Sequence, residues 1–231
     1  MPVYLHELVE TVPGRTEEYL DSMARHQGTS AARRGQKDTM LGLWSACEAT
    51  GTWPLAVNLW QYGRWDDVAA NLARQFEPAG QDADLKRWWL GNLDLRSGGF
   101  DRLVESTSYS PDVAALRDGG VGGVLFLHQI AEIVPGKVEH YLAAFGEDAV
   151  GSVEEAGARF VGAYRVCLRD HEAITILAFA EAADFARFQA AWHGTASTRL
   201  GRWRRREDEW VRGKETLVLR PRYFLRSPWH L

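Results

Sequence analysis

The chain has 231 residues, of which 45% are hydrophobic and 25% charged, with a net charge of −4 and a pI near 6.0. That length supports a sizeable buried core, and the acidic balance argues against nucleic acid or an anionic membrane as partner. No stretch approaches the ~18 consecutive apolar residues of a membrane span, MPVYLHELVE lacks the basic-then-apolar pattern of a secretory leader, and two cysteines, Cys47 and Cys167, do not make a disulfide framework, so a cytoplasmic protein is expected. The one basic run, Arg202–Arg206, is followed at once by Glu207, Asp208 and Glu209, which reads as a solvated helix face with local ion pairs.

In chain order, the first predicted element is a strand beginning at Tyr4, stopped by Val12-Pro13-Gly14 and followed by an amphipathic helix that carries Tyr19 and Leu20. Leu41-Gly42-Leu43-Trp44 enters a second strand that carries Cys47. After a turn at Gly51-Thr52, a third strand covers Leu55–Tyr62. A helix starts at Trp65-Asp66, a further helical stretch carries Leu85, Arg87 and Trp88, and a last strand covers Phe100–Tyr109. The chain then repeats. Phe126–Leu142 (FLHQIAEIVPGKVEHYL) matches Tyr4–Leu20 (YLHELVETVPGRTEEYL), with His128 on His6, Val134-Pro135-Gly136 on Val12-Pro13-Gly14, and Tyr141-Leu142 on Tyr19-Leu20 at one constant offset. Its helix places Val138, Tyr141, Leu142, Phe145 and Ala149 at helical spacing.

Val161-Gly162-Ala163-Tyr164 then corresponds to the Gly42 segment, with Cys167 on Cys47. The strand Ala173–Ala180, the helix from Ala183-Asp184, the stretch with Leu200, Arg202 and Trp203, and the strand Glu215–Phe224 complete the second copy. The order is β-α-β-β-α-β twice, the ferredoxin-like arrangement. The expected division is residues 1–112, a glycine-rich linker 113–123, and residues 124–231. A four-stranded sheet with helices on one face leaves the other bare, so two such repeats are expected to cover each other as an intramolecular dimeric α/β-barrel, an α+β fold. A nucleotide-binding reading of Gly119–Gly123 fails, because these glycines precede a strand where the fingerprint follows one.

Gly42-Leu43-Trp44, the hairpin, and the strand ending Leu59-Trp60-Gln61-Tyr62 resemble the NIPSNAP pattern, as do the Val-Pro-Gly and Tyr-Leu elements of both halves. The resemblance covers most of residues 3–109 and, more weakly, 124–224, where Ala178 and Ala180 stand for the Trp and Tyr. His6 stands near where that family has an acidic residue. The resemblance implies membership of the dimeric α/β-barrel superfamily, whose bacterial members include cofactor-independent oxygenases and cyclases of aromatic polyketides, haem-binding relatives of chlorite dismutase, haem-degrading monooxygenases, muconolactone isomerases, and proteins without known activity.

His6 and His128 sit mid-strand in apolar surroundings at equivalent positions, so either is a candidate general base tuned near neutral pH. Alternation groups Ala56, Asn58, Trp60 and Tyr62 on one strand face, with Tyr62 or Asn58 as hydrogen-bond partner and Trp60 and Trp44 as walls. Tyr164 is the counterpart of Trp44 in the second half. Arg222, near the end of the last strand, is a candidate holder of a carboxylate, phenolate or enolate. The second half has Ile176, Ala178 and Ala180, or near neighbours, in place of Asn58, Trp60 and Tyr62, so the first half is the better furnished. Both cysteines are expected as small buried hydrophobes, and no His/carboxylate cluster suggests a metal. The expected function is that of a small-molecule enzyme acting on an aromatic, polyketide-like substrate by acid/base-assisted cyclisation, isomerisation or cofactor-independent oxygenation. The alternatives are a non-catalytic NIPSNAP-like binding protein and a haem protein with His193, His128 or His6 as axial ligand. No cofactor is expected, with haem or reduced flavin as alternatives, and the chain is expected as a monomer or homodimer.

Overall fold

The computed structural model describes residues 2–30, 38–47, 51–76, 83–194 and 198–225. Two compact units are present, one made of residues up to Val104 together with Arg222 onward, the other of Glu105–Pro221.

The first unit contains β1 (Val3–Thr11), α1 (Thr16–Ser30), β2 (Asp38–Ala46), β3 (Leu55–Tyr62), α2 (Trp65–Phe76), α3 (Ala83–Leu93) and most of β4 (Arg96–Ser106). Its strands lie in the order β4-β1-β3-β2. Between β1 and α1 the chain reverses at Gly14, whose φ of +81° is a left-handed conformation that a side chain would strain. Tyr19, Leu20 and Met23 of α1 then pack on Val3, Val9, Ala56, Trp60 and Tyr62, so one face of β1 and β3 is covered by helix.

The second unit contains α4 (Val113–Asp118), β5 (Leu125–Ile133), α5 (Val138–Ala144), α6 (Val150–Glu155), β6 (Arg159–Val166), β7 (Glu172–Phe179), α7 (Ala182–Trp192), α8 (Arg199–Glu207) and most of β8 (Val211–Phe224). The order β8-β5-β7-β6 repeats that of the first unit, position for position. A π-helical turn, Phe145–Ala149, joins α5 to α6. There the Tyr109 ring lies where a Cβ on Gly146 would fall, and the Tyr109 hydroxyl donates to the Leu142 carbonyl at 2.7 Å, a side-chain insertion of the kind that widens a helix.

Each unit is thus a ferredoxin-like α+β layer, as the element order predicts, with several differences of detail. The units part within β4 and β8 rather than at the glycine-rich stretch, and that stretch begins as α4, capped by the Asp112 side chain on the Ala115 N–H at 2.8 Å. Strand β7 starts one residue earlier than expected, and β4 and β8 start about a turn of chain earlier. Cys47 and Cys167 lie just past the ends of β2 and β6, half-buried rather than enclosed. Burial raises the Cys167 thiol to about 11, which leaves it protonated and unreactive.

One device recurs in both sheets. The register of β2 on β3 shifts between Met40 and Gly42, and that of β6 on β7 shifts between Phe160 and Gly162. At each bulge the aromatic two residues on folds back over the glycine. A Cβ on Gly42 would fall 1.9 Å from the Trp44 ring, and one on Gly162 would fall 2.5 Å from the Tyr164 hydroxyl. The glycine is therefore needed for the ring to lie flat on the sheet. Gly42→Ala is expected to lower stability by about 2 kcal/mol or more, because the fully buried indole has nowhere to move; urea unfolding measures this, and an unchanged midpoint would show that the ring relocates freely.

Candidate active site

Strand register decides which predicted site residues share a surface. On β1 and β3, His6 lies opposite Leu59, Glu7 opposite Asn58, and Leu5 opposite Trp60. On β2, Gly42 lies opposite Leu59, Leu43 opposite Asn58, and Trp44 opposite Val57. Directly opposed residues point to the same face and neighbours along a strand point to opposite faces. Asn58, Trp60 and Tyr62 therefore occupy the helix-covered face together with Glu7, whereas His6 and Trp44 occupy the other. The expected partnership of His6 with Asn58 or Tyr62, walled by both Trp44 and Trp60, does not form. His128 and Tyr164 belong to the second unit, where His128 lies opposite Ile176 and Tyr164 opposite Ile174.

The side chains that converge in the first unit centre on Glu7, which sequence reasoning passed over. Its Oε2 accepts from Asn58 Nδ2 at 2.9 Å and from Trp60 Nε1 at 2.5 Å. The same Asn58 amide donates to the Tyr19 hydroxyl at 2.8 Å. Asn58 and Tyr19 are fully buried, Trp60 nearly so, and Glu7 is partly exposed. Among the described residues nothing hydrogen-bonds Glu7 Oε1, so one carboxyl oxygen is held and the other is free.

Burial raises the Glu7 pKa above its ordinary 4.5. The Asn58 amide opposes this, the Asp101 carboxylate adds to it, and Trp60 and Arg96 oppose it in turn. The Tyr19 phenol is pushed up by burial and by the nearby Glu7 charge, so it keeps its proton and can donate it.

His6 is differently placed. It has no exposure, and burial followed by the Arg102 guanidinium lowers its pKa to about 3. The imidazole stays neutral through the physiological range and is a much weaker base than the neutral-pH shuttle that its strand position suggested.

Tyr62 is buried, and its hydroxyl accepts from Asn71 Nδ2 of α2 at 3.0 Å. Arg222 pairs with Asp21 of α1 at 2.5 Å, so its charge is already answered. His193, the haem-ligand candidate, stands exposed at the C-cap of α7. An exposed helix-end histidine does not suit an enclosed haem. Among the described residues no three His, Cys, Asp or Glu side chains converge as a metal site, and no helix is long and apolar enough to cross a membrane.

The second unit carries a neutral version of the same surface. Gln129 lies opposite Thr175 and Leu127 opposite Leu177. The counterparts of Asn58, Trp60 and Tyr62 are therefore Thr175, Leu177 and Phe179, one residue before the Ile176, Ala178 and Ala180 of the sequence alignment. Gln129 Oε1 accepts from Thr175 Oγ1 at 3.3 Å, and Tyr141 packs against Phe145, Trp203 and Trp210. The signal for Glu7 was present in the sequence. It aligns with Gln129, so the two repeats differ in charge at one strand position, and Tyr19 belongs to the repeated Tyr-Leu pair.

No protein-family model and no curated protein matches the sequence. Solved structures do. A crystal structure of an anthrone oxidase-like protein superposes with a TM-score of 0.67 at 10% identity, covering 98% of this chain and 93% of its own. The likeness is one of fold. A proposed monooxygenase from Fusobacterium nucleatum subsp. nucleatum superposes with a TM-score of 0.64 at 8% identity, over 95% of this chain and 92% of its own. A mutant chlorite dismutase from Candidatus Nitrospira defluvii gives 0.54 at 14% identity, over 99% of this chain and 94% of its own. NIPSNAP-family proteins are also among the matches; that of Agrobacterium tumefaciens covers 48% of this chain and 98% of its own at 18% identity and a TM-score of 0.39.

The raised Glu7 pKa has a consequence for stability. The unfolded chain gives up this proton near 4.5, before the folded chain does. The contribution of the protonated group is therefore fully present below that value and is lost as pH rises through the folded pKa. Glu7→Gln is neutral at every pH and keeps an oxygen for Asn58 and Trp60. Its thermal midpoint is expected to gain on wild type as pH rises from about 4 to about 8, whereas a difference that stays constant with pH would mean that the carboxyl titrates normally.

Proposed function

We propose that this protein is a small-molecule enzyme for a polycyclic aromatic, polyketide-like substrate, and that Glu7 transfers the proton. The observation that carries this reading is the Glu7 carboxyl itself, with Oε2 held by Asn58 and Trp60 and Oε1 left free. A held carboxylate with a raised pKa is a stronger base than an ordinary one, and its fixed orientation aims the free lone pair. Tyr19, linked to Glu7 through Asn58, supplies a protonated hydroxyl next to it. The fold shared with an anthrone oxidase-like protein supports the substrate class, since an anthrone carries a ring CH2 acidified by its aromatic rings and carbonyl.

Glu7 takes one proton from such a carbon, and the electron pair of the broken C–H bond spreads into the ring as an enolate. When dioxygen is the partner, the enolate carbon adds it, the peroxide takes back the proton from Glu7, and the resulting hydroperoxide loses water as a second carbonyl forms. One O2 enters and one water leaves for each CH2 converted to C=O. Without dioxygen, the same proton transfer serves isomerisation or ring closure. Positioning and one well-placed base suffice, because the substrate supplies the electrons.

The test is turnover of a panel of anthrones and related polycyclic phenols, in air and under argon, followed by absorbance and mass spectrometry. Wild type is expected to accelerate conversion, Glu7→Gln to lower the rate about 100-fold or more, and His6→Gln to leave most of it. Equal rates for wild type and Glu7→Gln, or no turnover of any member, would refute the proposal.

A further inference from the structure

We propose that Arg96 is the oxyanion-binding residue of the Glu7 site, and that the substrate presents to it an ionised or ionisable oxygen on an aromatic frame. This inference rests on reading the Glu7 cluster as the active site.

Arg96 opens β4 with its guanidinium carbon 4.0 Å from the Trp89 ring centroid and 5.6 Å from that of Tyr19. Tyr19 ties it through Asn58 to Glu7, and its charge acts on both Glu7 and Asp101. Yet its Nε and Nη2 are shut off from solvent and have no hydrogen-bond partner among the described residues. Other arginines of the chain answer their charge with a carboxylate: Arg15 with Glu18, Arg165 with Glu105, Arg187 with Asp184 and Arg222 with Asp21. Leaving two charged N–H donors dry and unpaired is costly, and such exceptions call for a partner.

The identity of the two atoms is informative. Nε and Nη2 form one edge of the guanidinium plane, and two parallel N–H groups on that edge grip a carboxylate or a single oxyanion. The contact of the guanidinium with the Trp89 ring restrains the side chain. Trp89 is 46% exposed, which leaves aromatic surface beside the edge for a flat ligand. The Tyr19 hydroxyl accepts from Asn58, and its own hydrogen has no acceptor among the described residues, so a third donor sits in the same neighbourhood. In the proton transfer, the proton passes from substrate to Glu7, the electron pair of the broken bond moves onto the ring oxygen, and the Arg96 edge receives that oxygen as its charge grows.

Calorimetric titration of the full chain with 2-naphthoate and with its neutral isostere 2-naphthamide tests the inference without requiring turnover. Wild type is expected to bind the naphthoate about tenfold or more tightly than the amide. Arg96→Gln is expected to lose that preference while binding the amide as before, and Arg96→Lys, which keeps the charge without the fork, to lose part of it. If Arg96→Gln does not fold by near-ultraviolet circular dichroism, Arg96→Lys becomes the variant that decides, with a several-fold loss for the naphthoate alone. Failure of wild type to bind naphthoate, absence of a preference, or a preference unchanged in the Arg96 variants overturns the inference. A preference that depends on Arg96, together with no turnover of the anthrone panel, supports the anion site and refutes only the proposed reaction; turnover that depends on Glu7 with no such preference does the reverse.

Discussion

Between β1 and β3 of the first unit a carboxyl group is held against the helix-covered face of a sheet, in a place where most strands carry an apolar side chain. Moving a carboxylate out of water is costly unless hydrogen bonds replace its hydration. Here the Asn58 amide and the Trp60 indole both donate to the same oxygen of Glu7. The surrounding residues follow from that requirement. Asn58 must be polar and buried to serve Glu7 and Tyr19 at once. Trp60 must lie opposite Leu5 so that its N–H reaches the diagonal neighbour. Tyr19 must come from the first turns of α1, which the Pro13-Gly14 reversal aims back at the sheet.

The second unit shows the same scaffold without the charge. Gln129 and Thr175 stand where Glu7 and Asn58 stand, Leu177 replaces the indole, and Tyr141 is enclosed by aromatic rings. A carboxylate does occur near Tyr141, but Glu207 is buried in an ion pair with Lys214, whereas Glu7 is held by the neutral donors Asn58 and Trp60. The two units share strand order and bulge positions, and they differ where chemistry would differ. The proposed reactive surface is placed in the first unit on that contrast between particular residues and not on the fold, which by itself hosts many activities.

What was legible in the sequence was what depends on local chemistry. The Pro-Gly reversals, the amphipathic helices after them and the glycine-aromatic pairs Gly42-Trp44 and Gly162-Tyr164 each carry their own short-range signal, and the element order of both units follows from them. The strand face was harder to read. Asn58 and Trp60 were grouped correctly by alternation within one strand, but their cross-strand partner depends on the register of β1 against β3, and a shift of one residue exchanges His6 for Glu7. The eye goes to a histidine in an apolar strand, whereas the glutamate beside it passes for a solvent-facing residue. Arg96 and Asp101 were out of reach for a related reason: the start of β4 lies in a glycine-containing stretch, Arg96–Phe100, with little alternation to mark it as strand.

Glu7, and not His6, is the group proposed here to be poised for proton transfer. The most direct measurement is a carbon-13 NMR titration of the protein labelled at the glutamate side-chain carboxyls, with the Glu7 resonance assigned by its absence from the Glu7→Gln spectrum. This carboxyl is expected to titrate above the ordinary 4.5; a midpoint at or below that value would rule Glu7 out as the group with raised basicity.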